Sequence, residues 1–336
     1  MVTEIYVISG FLGAGKTTLI QKLLREAFQD EKVALIENDF GEINIDAALL
    51  KSSGVEIKEI NAGCICCSLS GDFVQALKEL LNRFHPDKII IEPSGVGKLS
   101  DVVKACADPR IQSLAEVKSK ITVADVKRCK MYLENFGEFF EDQIKNADVV
   151  LLSRTDVFPD RVEPACDLVR ELNPHAVILS QLWDQIAVAD ILCPKRIPHA
   201  HEAHGCHEHS CSCGHHHNHT HHHDGHCCAD HHVHSDHCEC GHNHAAEEIF
   251  DTVTIRTNHK FSIEDLAARV SSMEQSAKGT ILRAKGIVRS TNGYVNVQYL
   301  LPGDVQITDC ATGGDMLCFI GRNLNRQELT AIFSGE

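Results

Sequence analysis

The stretch Gly10-Phe-Leu-Gly-Ala-Gly-Lys16-Thr17 decides the fold. It fits the pattern G-x-x-x-x-G-K-[ST] at every position. An apolar run, Ile5–Ser9, precedes it and an amphipathic one, Lys16–Phe28, follows. Strand, glycine-rich loop and helix in that order make a phosphate cradle. Gly10, Gly13 and Gly15 let the backbone bend so that several N–H groups point at one phosphate chain. The helix N-terminus adds favourable partial charge. Lys16 places a cation on the β- and γ-phosphates, and Thr17 offers a hydroxyl to Mg²⁺. The chain is therefore expected to bind a nucleoside triphosphate through Gly13, Ala14, Gly15, Lys16, Thr17 and Thr18.

Outward from this loop, short apolar runs alternate with amphipathic stretches. Ile5–Ser9, Val33–Asn38, Lys88–Glu92, Ile121–Asp125, Asp148–Ser153 and Ala176–Ser180 read as buried strands. Lys16–Phe28, Phe73–Phe84 and Phe136–Asn146 read as helices between them. Such alternation predicts an α/β fold, a mostly parallel sheet with helices on both faces. Phe73, Ala76, Leu77, Leu80, Leu81 and Phe84 recur at helical spacing and are assigned to the core. Beyond about residue 247 the pattern changes to a small α+β unit. Val253–Thr257 is a strand. Ser262 with Asp265, and Phe261 with Leu266, start a helix that runs to Ser276. Thr280–Arg289 and Tyr294–Leu300 flank Asn292-Gly293, a hairpin signal. Asn325 caps a last helix ending near Phe333. No catalytic constellation is visible in this unit, which is assigned to packing, regulation or partner binding.

The chain has 336 residues, enough for about two domains. Its net charge of −15 argues against a nucleic-acid binder held by phosphate contacts. It has no apolar run of the length a spanning helix needs, and MVTEIYVISG lacks the basic start of a secretory signal. A cytoplasmic chain with reduced thiols, without nucleic-acid or membrane partners, is the expectation. Sixteen Cys and 22 His then point to metal or redox chemistry rather than disulfides. Between His199 and His244 lie 19 of those His and seven of those Cys, with no Lys or Arg. This window lacks apolar periodicity and is read as a disordered insert. It divides the chain into a nucleotide domain (1–192), a His/Cys-rich insert (193–246) and the α+β unit (247–336).

Nucleotide chemistry needs a further carboxylate on the Mg²⁺ side after a buried strand. Lys88-Ile-Ile-Ile-Glu92-Pro-Ser-Gly95 supplies Glu92, with Gly95 able to approach the γ-phosphate. Lys16 and Glu92 are the candidate catalytic residues. Strand Asp148–Ser153 ends in Ser153-Arg154-Thr155-Asp156, where guanine-specific proteins often carry Asn-Lys-x-Asp. Asp156 accepts from guanine and Arg154 stacks on the ring; Ser153 stands in place of Asn. Glu37-Asn-Asp39-Phe-Gly41-Glu42 follows a strand, where a nucleotide-sensing switch belongs. The alternative is a solvated acidic turn.

Cys64-Ile-Cys66-Cys67 packs three thiols into four positions and can present them to one tetrahedral ion, Zn²⁺ above all. A redox pair at Cys64 and Cys67, or small buried side chains, are the alternatives. The scattered Cys106, Cys129, Cys166, Cys193, Cys310 and Cys318 are assigned to packing, and His85, His175 and His259 to structure or surface. The His runs and Cys-x-Cys pairs of the insert offer overlapping sites that favour capacity over selectivity. They read as a metal reservoir, against a merely solvating tail.

These motifs together resemble the CobW-type GTPases, P-loop metallochaperones related to HypB and UreG. The resemblance is carried by GFLGAGKTT (Gly10–Thr18), ENDFGEINID (Glu37–Asp46), NAGCICC (Asn61–Cys67), IIIEPSG (Ile89–Gly95), QIKNADVVLLSRTD (Gln143–Asp156) and LRAKGIVRS (Leu282–Ser290). It implies GTP with Mg²⁺, slow hydrolysis to GDP and phosphate, and a transition metal at the cysteine loop. Cys64, Cys66 and Cys67 would be the metal ligands, with Glu42 from the switch segment. Zn²⁺ is the expected metal, Co²⁺ the second and Ni²⁺ the third. The metal would pass to a client metalloprotein or cofactor-synthesis enzyme, and a nucleotide-dependent homodimer is compatible with this scheme. The rival readings are a metal-storage protein with a regulatory nucleotide domain, and a nickel chaperone.

Overall fold

The computed structural model describes residues 2–29, 31–37, 71–194 and 246–334. Asp39, Glu42, Cys64, Cys66, Cys67 and the insert expected between His199 and His244 lie outside the described residues. Strands β1 (Thr3–Ser9), β2 (Val33–Glu37), β3 (Lys88–Glu92), β4 (Ala115–Asp125), β5 (Val149–Ser153) and β6 (Val177–Leu179) form a six-stranded sheet in the order β2-β3-β1-β4-β5-β6. All five pairings are parallel. The predicted α/β class is the one observed.

Strand alternation distributes the core over both faces. Ile5, Val7, Ala34, Ile36, Ile89, Ile91, Val150 and Leu152 point to one face. There they meet α2 (Gly71–Phe84), α3 (Leu99–Cys106), α5 (Cys129–Lys145) and α6 (Val162–Leu172), with short α4 (Pro109–Gln112) beside them. Tyr6, Ile8, Val33, Leu35, Ile90, Val149 and Leu151 point to the other. There they meet α1 (Lys16–Glu26) and α7 (Val188–Leu192). Strands covered on both faces read as continuous apolar runs, which is why they are legible in sequence.

Three expectations are corrected. Strand β4 begins at Ala115, not Ile121: its first half alternates buried positions with Glu116 and Lys118 and so lacks an apolar run. Helix α5 begins at Cys129, not Phe136, where the backbone leaves helical geometry (φ −140°, ψ 34°). The predicted start is that break. Helices α3, α4, α6 and α7 were not predicted.

The C-terminal sheet is antiparallel, in the order β10-β9-β8-β11-β7. Its strands are β7 (Asp251–Arg256), β8 (Thr280–Ser290), β9 (Gly293–Leu300), β10 (Asp304–Cys310) and β11 (Met316–Arg322), with short α8 (Ala246–Ile249) before them. Helices α9 (Ile263–Ser276) and α10 (Arg326–Ser334) bury Leu266, Val270, Met273, Leu329 and Phe333 against one face. The predicted caps form: Ser262 Oγ accepts from the Asp265 N–H (3.0 Å) and Asn325 Oδ1 from the Gln327 N–H (2.9 Å). Strands β10 and β11 were not anticipated. The hairpin turn lies one residue early, because Ser290 pairs with Gly293 and leaves Thr291-Asn292 as the loop.

The other face of this sheet packs on the nucleotide-binding half. Leu300 and Ile320 join the core of α2, α3 and α5. Phe250, just before β7, lies 5.0 Å from the Phe139 ring and 5.7 Å from Phe136.

Candidate nucleotide site

The loop between β1 and α1 is built by close packing. Gly10 has φ 141°, and a Cβ there would stand 2.3 Å from the Val123 carbonyl oxygen. Phe11 is buried among Tyr132, Phe136 and Phe140, and Tyr132 Oη donates to the Leu12 carbonyl (3.1 Å). Helix α1 opens on Gly15 in left-handed geometry, with no side-chain cap and no acid in its first turn. Its first N–H groups are thus oriented for an anion.

Lys16 is buried, donates to the Gly10 carbonyl (3.1 Å) and lies 3.8 Å from Glu92 Oε1. Gly13, Ala14, Gly15, Lys16, Thr17, Thr18, Glu92, Gly95 and Arg154 line one cavity of about 290 Å³. Gly95 packs so tightly that a Cβ would meet Leu12 Cδ2 at 2.7 Å. Gln143 Nε2 donates to the Gly95 and Gly97 carbonyls (3.2 and 2.8 Å) and fixes that loop. Glu37, at the end of β2, lines the same cavity.

A second cavity shares part of the loop with the first. Ser153, Arg154, Thr155, Asp156, Leu182, Trp183 and Asp184 line it with Gly13, Ala14, Gly15 and Thr18. Ser153 Oγ donates to the Ala14 carbonyl (2.6 Å), so serine ties β5 to the phosphate loop. Arg154 has φ 61°, its Nη1 lies 2.5 Å from Asp125 Oδ2, and its Nη2 is 3.3 Å from the Gly13 carbonyl. Its guanidinium is thereby held against the loop. Trp183 donates to the Leu152 carbonyl (2.7 Å), and its ring edge would lie 3.3 Å from a Cβ on Gly15.

Sequence reasoning missed three groups here. Trp183 is the first, although it is the sole Trp of the chain. The second is a buried charge network: Asp125 accepts from Arg128 as well as Arg154, and Arg128 also binds Asp304 and the Leu301 carbonyl (2.8 Å). Burial works to raise the Asp304 pKa, but hydrogen bonds from Lys127 and Arg128 hold it below the usual carboxylate range. The third is on the C-terminal sheet, which the sequence assigns to packing, regulation or partner binding. Arg283 and Gln298 line the cavity that holds Lys16, Thr17 and Glu92. Behind them Lys285 is buried, and burial pushes its pKa down to about 8. Cys318 and Glu37 oppose that fall and Lys16 adds to it.

Cys106, Cys129, Cys166 and Cys318 are buried as expected, while Cys193 is exposed. Burial lifts the Cys106 and Cys129 thiols to about 12. His85 and His175 are on the surface. Among the described residues no three His, Cys, Asp or Glu come together to hold a metal, and no helix is long and apolar enough to cross a membrane.

Residues 4–180 match the CobW/HypB/UreG nucleotide-binding domain, and residues 250–335 match the cobalamin synthesis protein cobW C-terminal domain. The zinc chaperone YeiR of Escherichia coli K12 is 34% identical over 154 residues, 46% of this chain and 47% of its own length. The zinc chaperone CobW of Sinorhizobium is 36% identical over 179 residues, 45% of this chain and 50% of its own. The chain spans about half the length of the curated relatives it matches. The crystal structure of the Zn(II)-bound YjiA GTPase of E. coli aligns over 99% of this chain and 98% of its own, at 17% identity and a TM-score of 0.44. With the nucleotide-binding match alone extending over more than half of its residues, the chain belongs to the CobW/HypB/UreG family.

Proposed function

We propose that this protein is a GTP-hydrolysing metallochaperone. It binds Zn²⁺, with Co²⁺ and then Ni²⁺ as weaker choices, at Cys64, Cys66 and Cys67 with Glu42, and delivers it to a client metalloprotein or cofactor-synthesis enzyme. One observation carries the reading: Glu37 lines the phosphate cavity. The segment that begins one residue later carries Asp39, Glu42 and all three clustered thiols. A change at the γ-phosphate therefore acts at the root of the metal-binding segment. A tenfold difference in metal affinity between nucleotide states needs only about 1.4 kcal/mol of coupling. The naming of relatives as zinc chaperones supports the choice of metal.

In this reading the open N-terminus of α1 and Lys16 hold the β- and γ-phosphates. Arg154 and Asp156 face the base, with Ser153 in the tethering role. Thr17 and Glu92 are hard oxygen donors on one cavity wall and fit Mg²⁺. That ion would neutralise charge developing on the phosphates. Water attacks the γ-phosphorus, the bond to the β-phosphate oxygen breaks with its electron pair, and the water's proton leaves with phosphate. Slow turnover follows from positioning without a dedicated base. The boundaries 1–192, 193–246 and 247–336 divide the labour between switch, reservoir and C-terminal unit.

The full-length chain with Mg²⁺ should bind and hydrolyse GTP in preference to ATP, and Lys16→Ala should lose both. Equal handling of ATP, or turnover that survives Lys16→Ala, overturns the assignment.

A further inference from the structure

We infer that the C-terminal sheet completes the phosphate site, with Arg283 delivering a cation in cis to the γ-phosphate and Gln298 donating beside it. The inference rests on the nucleotide reading above. Its basis is strand geometry. Residues two apart share a face, so Arg283 and Lys285 of β8 point the same way. Lys285 pairs with Gln298 of β9, which brings Gln298 to that face too. Helices α9 and α10 cover the opposite face. The polar face is thus turned to the nucleotide half, and Arg283 and Gln298 line one cavity with Lys16, Thr17 and Glu92.

The face is fixed there by contacts that do not involve a ligand. Leu300 sits over the phosphate loop, its Cδ2 2.3 Å from where a Cβ on Gly13 would lie. Arg128 donates to the Leu301 carbonyl (2.8 Å), and Lys127 pairs with Asp304 (2.8 Å). Charge then selects Arg283. The cavity wall has three cations and two carboxylates. Lys16 is drawn to the Gly10 carbonyl and Glu92, and Arg154 to Asp125 and the Gly13 carbonyl. Among the described residues no acceptor binds the guanidinium of Arg283. A planar guanidinium with unused donors beside bound phosphates takes their oxygens. Charge builds there as the bond to the leaving β-phosphate breaks, so the cation speeds hydrolysis. Loss of the γ-phosphate removes the partner of Arg283, so the C-terminal sheet senses the nucleotide state.

The test uses the full-length protein with Arg283→Ala, Arg283→Gln and Arg283→Lys. Steady-state hydrolysis gives kcat, and binding of a non-hydrolysable GTP analogue and of GDP gives an affinity ratio. Arg283→Ala should lower kcat by about 100-fold. It should lower the analogue-to-GDP ratio by roughly tenfold and leave GDP affinity within about twofold, because the γ-phosphate contact alone is lost. Arg283→Lys should recover part of both. Arg283→Gln keeps side-chain length and repeats the test if the alanine variant does not fold. A kcat and ratio within twofold of wild type in either neutral variant overturns the inference. If the wild-type chain itself neither binds nor hydrolyses GTP, the nucleotide reading falls instead.

Discussion

Asp125→Asn changes one atom at the junction of the two halves and removes one buried negative charge. Asp125 and Arg128 are both fully buried, and Arg154, itself partly exposed, reaches the same carboxylate oxygen. The Lys127 N–H donates to the other oxygen (2.9 Å). Removing one partner of a buried pair costs about 3–5 kcal/mol because the remaining charge is stranded. Asp304 still binds Arg128, but it is 39% exposed and solvent screens it. The loss should therefore fall near the lower end, about 3 kcal/mol. With a urea slope of about 2 kcal/mol per M, the unfolding midpoint should drop by about 1.5 M. Asp304→Asn, at the exposed end of the same network, should cost less than about 1 kcal/mol. Equal shifts for the two variants, or a shift below about 0.3 M for Asp125→Asn, would mean that this carboxylate does not neutralise Arg128.

Three further outcomes are expected. Trp183 is the only Trp of the chain and lines the cavity beside Arg154 and Asp156, so its emission should change on GDP binding; unchanged emission at saturation, with binding verified separately, contradicts the reading of that cavity as the base site. Lys285 has a folded pKa of about 8 against an ordinary 10.5, so it is charged in both states below pH 8 and its burial then costs about 3 kcal/mol. Between about pH 8 and 10.5 the unfolded chain binds a proton that the folded chain does not, so wild-type stability rises there. Lys285→Met should be more stable at pH 7 and lack that rise, whereas parallel urea midpoints at pH 7 and pH 10 argue against it. Glu92→Gln should lower kcat by about 100-fold while nucleotide affinity stays within about threefold; isothermal titration beside turnover separates the two, and a collapse of binding assigns Glu92 to structure.

The nucleotide half was legible because its signals are local. The phosphate loop, the Lys88–Glu92 strand and the Ser153–Asp156 loop each place chemistry beside a recognisable strand end. The strands lie buried on both faces and advertise themselves as apolar runs. What escaped is non-local. Arg283 and Gln298 are two polar residues in different strands, and only the β8/β9 register brings them together beside a loop far away in sequence. Asp125 and Arg128 look like an ordinary strand-to-helix turn until Asp304 arrives from the C-terminal sheet. Strand β10 escaped because its alternation is half exposed. One hint was available: Arg283 and Lys285, two apart in the middle of β8, put cations side by side on one face of the strand. That is costly for a sheet face turned toward a core, and it marks a site rather than a packing surface.

Nucleotide state should set metal affinity at the cysteine loop. A variant lacking residues 199–244, and the full-length chain beside it, would be titrated with Zn²⁺ and Co²⁺ against a competing chelator. Each titration would be run without nucleotide, with GDP, and with a non-hydrolysable GTP analogue, and repeated in Cys66→Ala. Binding should be at least tenfold tighter with the GTP analogue, and Cys66→Ala should lose that gain. Affinity that ignores the nucleotide contradicts it, and makes metal storage through the His/Cys-rich stretch the better reading.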